Sequence, residues 1–115
     1  MSVATVVVTI CLAAMFLFAG SIKLLGVQQS LAIRDHLDIS PTQWRGIGLL
    51  ELAGVAGALA GLAWRPIGLA AAIGLTLLAI GAVVSHVRAS DSVAETTPAV
   101  IGIGLAVATA VLQST

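Results

Sequence analysis

The chain has 115 residues, of which 59% are hydrophobic and 9% charged, with five basic and five acidic side chains that cancel. Its mean hydropathy of +1.14 and its few charges leave too little polar surface for a water-soluble globule, which draws about 25% of its residues from Asp, Glu, Lys and Arg. The zero net charge offers no basic field for nucleic acid. A lone cysteine, Cys11, excludes an internal disulfide, and without a CxxC or Cys/His cluster the expected metal content is none.

The first apolar run, Val3 to Ile22, carries no charge and approaches the ~20 residues that cross a ~30 Å hydrocarbon core. It exceeds a signal-peptide core, and Met1-Ser2 supplies no positive flank, so it reads as a retained helix. Gly26 after Lys23-Leu24-Leu25 provides the left-handed stop, giving a helix over 3–25. The connection 27–40 reads as an interfacial loop with a turn or two of helix, because its apolar positions do not gather on one face at 100° per residue.

The stretch Ser40-Pro41-Thr42-Gln43 has the S-x-x-Q form of a capping box, with proline at the first helical position, and starts a helix over 41–63 whose apolar part, Gly46 to Ala63, contains Glu51 alone. Trp64-Arg65-Pro66 makes a tight turn into a third long helix, 66–87. Thr97-Pro98 repeats the cap-then-proline pattern and places the last helix at 98–113, with Gln113 to Thr115 at the interface. The expectation is a single membrane domain over 1–115, an all-α four-transmembrane-helix bundle, since helices satisfy every backbone group inside lipid.

Four crossings put both termini on one face. The opposite face carries Lys23, Arg34, Arg45 and Arg88 against Arg65 alone, so the positive-inside rule puts loops 27–40 and 88–97 in the cytoplasm of a prokaryotic-type cell membrane and the termini outside. Gly57 and Gly61 form a GxxxG pair, and Ala106 and Ala110 repeat its spacing, so that helices can approach closely and a homo-oligomer is an open alternative.

Glu51 follows Trp44, an interface anchor, by seven residues, or ~10 Å of descent at 1.5 Å per residue. Lys23 and His86 end their own helices on the same side, and all three have small residues on their helical faces: Ala19 and Gly20, Gly48 and Gly54, Ala79 and Ala82. Convergence of Lys23, Glu51 and His86, with Trp44 beside them, would make a ligand-binding cluster in which Glu51 and His86 act as a proton donor–acceptor pair. The plainer readings are a snorkelling Lys23, an interfacial His86, a structural ion pair at Glu51 and a solvated His36.

The segments "FLFAGSIKLLG", "GIGLLELAGVAGALAGL" and "GLTLLAIGAVVSHVR" resemble, in order, the DoxX-like family of small membrane proteins. The resemblance rests on Lys23-Leu24, Gly48 to Leu52 and Ala82 to His86, and spans Phe16 to Arg88. It implies a compact four-helix bundle. It also implies membership of membrane redox systems, since the family's named member is a small subunit of a thiosulfate:quinone oxidoreductase and relatives are linked to thiol and oxidative-stress complexes. A eukaryotic branch assists receptor assembly.

The leading reading is therefore binding of a quinone-like or other hydrophobic small molecule, quinone being the cofactor candidate, with membrane lipid and a redox protein as partners. The alternatives are a non-catalytic scaffold for partner proteins and a stand-alone acid–base enzyme, an isomerase or epoxide-opening catalyst, on a lipophilic substrate. A small multidrug transporter is disfavoured because the first helix has no acid and the chain no tyrosine.

Overall fold

The computed structural model describes residues 2–115; Met1, with which the expected domain begins, lies outside them. Five helices follow in order: α1 (Val3–Leu24), α2 (Gln28–His36), α3 (Pro41–Ala60), α4 (Arg65–Arg88) and α5 (Val93–Ser114). The class is all-α. The four long helices pack in a closed cycle, α1 on α3, α3 on α4, α4 on α5 and α5 back on α1, while α2 lies against α1. Neighbours run antiparallel: Gly20 near the end of α1 meets Gly48 near the start of α3, and Gln113 near the end of α5 meets Thr9 near the start of α1. By length and composition α1, α4 and α5 can each cross a membrane; α3 carries Arg45 and Glu51 and is more polar.

Caps explain the boundaries. Ser2 and Ser40 accept from the backbone N–H groups of Thr5 and Gln43 and open α1 and α3. Gly26, at φ 66°, turns the chain after α1. The interior is small: Leu12, Ala13 and Phe16 of α1 meet Val55 and Ala58 of α3, Leu75 and Ala79 of α4, and Ala106 of α5. The outer faces are rich in exposed Val, Ile, Leu and Phe, including Val7, Phe18, Leu50, Leu77 and Val111, as lipid-facing helices require.

The structure differs from the expected elements at four places. Residues 28–36 of the expected loop form the helix α2, held by polar contacts instead of an apolar stripe: Trp44 Nε1 donates to the fully buried Ser30 Oγ at 3.0 Å, and His36 at its end meets Asp91. Helix α3 ends at Ala60, and Leu62 and Ala63 close tight turns onto Leu59 and Ala60. Helix α5 starts at Val93, five residues before Pro98, because Ser92 and Glu95 form a reciprocal capping box that starts the helix earlier. Gln113 is not interfacial but fully buried: its Nε2 donates to Thr9 Oγ1 at 3.2 Å and to the Ala58 carbonyl at 3.3 Å. It thereby serves one of the carbonyls left free at the end of α3.

Glycines set the spacing where helices touch. At the terminus-bearing end, a Cβ on Gly68 would lie 2.6 Å from Gly61 Cα and would also strike the Gln113 amide oxygen. Gly68→Ala is expected to cost about 1–3 kcal/mol by overpacking and to lower the unfolding midpoint in detergent. Gly74→Ala, whose methyl enters open space, leaves that midpoint unchanged or raises it.

Candidate functional site

At the other end of the bundle α1 and α3 come closest through two glycines. A Cβ on Gly20 would sit 2.9 Å from the Gly48 carbonyl oxygen, and one on Gly48 would sit 3.0 Å from that of Gly20. This approach lays the last turn of α1 on α3, and Lys23 Nζ reaches Glu51 Oε1 at 2.7 Å. The side chains are 13% and 7% exposed, so each charge depends on the other for compensation. No hydrogen-bond donor is aligned on that Glu51 oxygen, and the lysine charge is what offsets it. Lys23 Nζ also donates to the Ala19 carbonyl at 3.4 Å and lies 4.9 Å from the centroid of the Trp44 ring, within cation–π range. Trp44 is buried, not an interface anchor, and through Ser30 it fixes α2 over the ion pair.

A cavity of about 290 Å³ opens beside this group. Lys23, Trp44 and Arg45 line it from α1 and α3, Leu31 and Arg34 from α2, and Pro41 from the start of α3. Arg34 is held by Asp35 at 2.9 Å. The cavity is therefore cationic, with an aromatic ring in its wall and an ion pair at its edge.

His86 is placed otherwise than expected. Its Nδ1 lies 2.5 Å from Asp91 Oδ2 in the α4–α5 turn, and the other oxygen of Asp91 lies 2.5 Å from His36 Nε2 at the end of α2. The residues form two groups: Lys23 with Glu51 and Trp44, and His86 with Asp91 and His36. The expected donor–acceptor contact between Glu51 and His86 is not made. The Asp91 carboxylate is held below its usual range by hydrogen bonds to His36 and His86, and His36 is raised by its hydrogen bond to and the charge of Asp91. His36 is thus paired, not merely solvated.

Sequence reasoning missed Asp91, Ser30 and Gln113. Asp91 had a local signal, an acid five residues beyond a helix-ending histidine. Ser30 and Gln113 had none, because their partners come from other helices.

The profile of the DoxX-like family matches residues 7–110, nearly the whole bundle. The chain belongs to the DoxX-like family. With its apolar helices it is a membrane protein of that family. No curated protein and no solved structure matches it. Within this DoxX-like chain, Lys23-Leu24 and Gly48 to Leu52, two of the segments that carry the resemblance, supply the ion pair and its glycine contact.

Lys23→Met would strand the Glu51 charge, and breaking a buried pair in this way costs about 3–5 kcal/mol. Chemical unfolding in detergent should show that loss for Lys23→Met and recovery of most of it in Lys23→Met/Glu51→Gln. Equal losses in the single and double variants would show that the pair carries no coupling.

Proposed function

We propose that this DoxX-like protein crosses the membrane four times, with α3 as the fourth crossing, and binds the polar head of a quinone-like lipophilic molecule in the cavity beside Lys23 and Glu51. The observation that carries the reading is the cavity itself, a cationic hollow walled by Trp44 and edged by a buried ion pair. At about 290 Å³ it lies near the lower end of the ~300–1,000 Å³ of ligand pockets, which suits a head group whose apolar tail stays in lipid. The Lys23 ammonium and the Arg45 guanidinium would donate to a ring oxygen, and the face of Trp44 would lie against the ring. Glu51 holds the Lys23 ammonium in place at 2.7 Å.

In this reading the protein is the quinone-binding module of a membrane redox system, and a partner redox protein supplies the electrons. The charge bias puts α2 and the α4–α5 turn on the cytoplasmic side. A second reading, a non-catalytic scaffold, draws on the open apolar groove of about 830 Å³ along α3 and α4, lined by Gly54, Gly57, Ala71 and Leu78 among others.

Trp44 reports on the site once the exposed Trp64 is replaced by phenylalanine. Saturable quenching of the remaining tryptophan by a short-chain benzoquinone, abolished in Lys23→Met/Glu51→Gln, is the expected result. Absence of saturable quenching in the parent protein would refute quinone binding and favour the scaffold.

A further inference from the structure

The second side-chain cluster shares no residue with the lining of the proposed ligand cavity. His36 ends α2, Asp91 lies in the α4–α5 turn and Glu95 stands in the first turn of α5. One ligand atom from each lies within 4.8 Å of the other two. The donors are one imidazole nitrogen and two carboxylates, a set that suits a divalent cation of the zinc type. We propose that His36, Asp91 and Glu95 form a divalent-metal site at the loop end of the bundle.

Three features favour a cation here. Asp91 and Glu95 bring two carboxylates against one imidazole, a donor set whose oxygens a dication can draw together. His36 and Glu95 are exposed, so the site is reached from water and these two side chains can adjust to metal–ligand distances of about 2.0–2.2 Å, while the Asp91 side chain is only 4% exposed. Asp91 also has an orienting partner. His86 Nδ1 holds Oδ2, the kind of outer hydrogen bond that fixes a ligand's direction, and a cation would replace the direct contact between Oδ1 and His36 Nε2.

Glu95 divides its carboxylate in the same way. Its Oε1 accepts from the backbone N–H and hydroxyl of Ser92, and the second oxygen is the one the cation takes. Three protein ligands leave a coordination position for water. The ion would join α2, which roofs the cavity through Leu31 and Arg34, to the α4–α5 turn. Cation occupancy would thus set how firmly α2 closes over Lys23 and Trp44.

The test is a Zn²⁺ titration of the purified full-length chain in detergent, stripped beforehand with a chelator. One zinc per chain is expected, with an X-ray absorption edge fitted by nitrogen and oxygen neighbours and no sulfur. His86→Ala should weaken binding by about 10–100-fold, the range for a residue that orients a ligand, and His36→Gln by more than that. Glu95→Gln keeps the S-x-x-Q form of the capping box, so α5 folds while a charged ligand is lost; its affinity should fall as in His36→Gln. Circular dichroism reports whether each variant retains its helices. Absence of saturable zinc binding, or binding unchanged in both His36→Gln and Glu95→Gln, overturns the site.

Discussion

The structure turns on a lysine and a glutamate that can be buried only together. Neither charge is tolerable alone at this depth: an unpaired ion inside a membrane bundle costs several kcal/mol, and the partner must sit within contact distance to offset it. Contact demands that α1 and α3 approach until backbone meets backbone, which Gly20 and Gly48 allow and larger residues would prevent. The ion pair, the glycines and the crossing of the two helices are therefore a single constraint. The cavity follows from it, because Trp44, one turn before Gly48, is held over the lysine and in turn holds α2 by Ser30.

The two ends of the bundle solve the same problem differently. At the terminus-bearing end a neutral amide, Gln113, lies against Gly61 and Gly68 and ties α5 to α1 and α3 by hydrogen bonds. At the loop end the connections are tied by charge, Lys23 with Glu51 in the interior and Asp91 between two histidines at the surface. The helices between them have little but small and aliphatic side chains to specify their neighbours. Polar ties at the ends supply the register that dispersion among Ala, Gly and Leu leaves loosely defined.

Much of this was legible in the sequence, for reasons that particular residues make plain. Apolar runs and caps located the long helices because lipid forces backbone groups to be satisfied within each segment. The depth of Glu51 and the small residues around it pointed inward, toward Lys23. The approach failed where a contact is made across the fold by a residue with no pattern of its own. His86 was drawn toward Glu51 by shared depth, whereas its partner is Asp91, five residues on in the adjoining turn. Helix α2 runs longer than the turn or two of helix expected there, because bonds made across the fold, Trp44 to Ser30 and Asp91 to His36, hold it, and periodicity cannot register them. The start of α5 was obscured by Pro98, although Ser92 and Glu95 had the spacing of a capping box.

Lys23 is the only lysine in the chain, and Glu51 and Glu95 the only glutamates, which allows the central contact to be measured directly. Solid-state NMR of the protein in lipid, with ¹⁵N in lysine and ¹³C in the glutamate carboxyls, reads the distance between the ammonium and its nearest carboxylate. Strong dephasing, corresponding to an ion-pair separation of about 4 Å or less and lost in Glu51→Gln, is the result this account predicts. A lysine signal that shows no dephasing in the parent protein, or keeps it in Glu51→Gln, would contradict it.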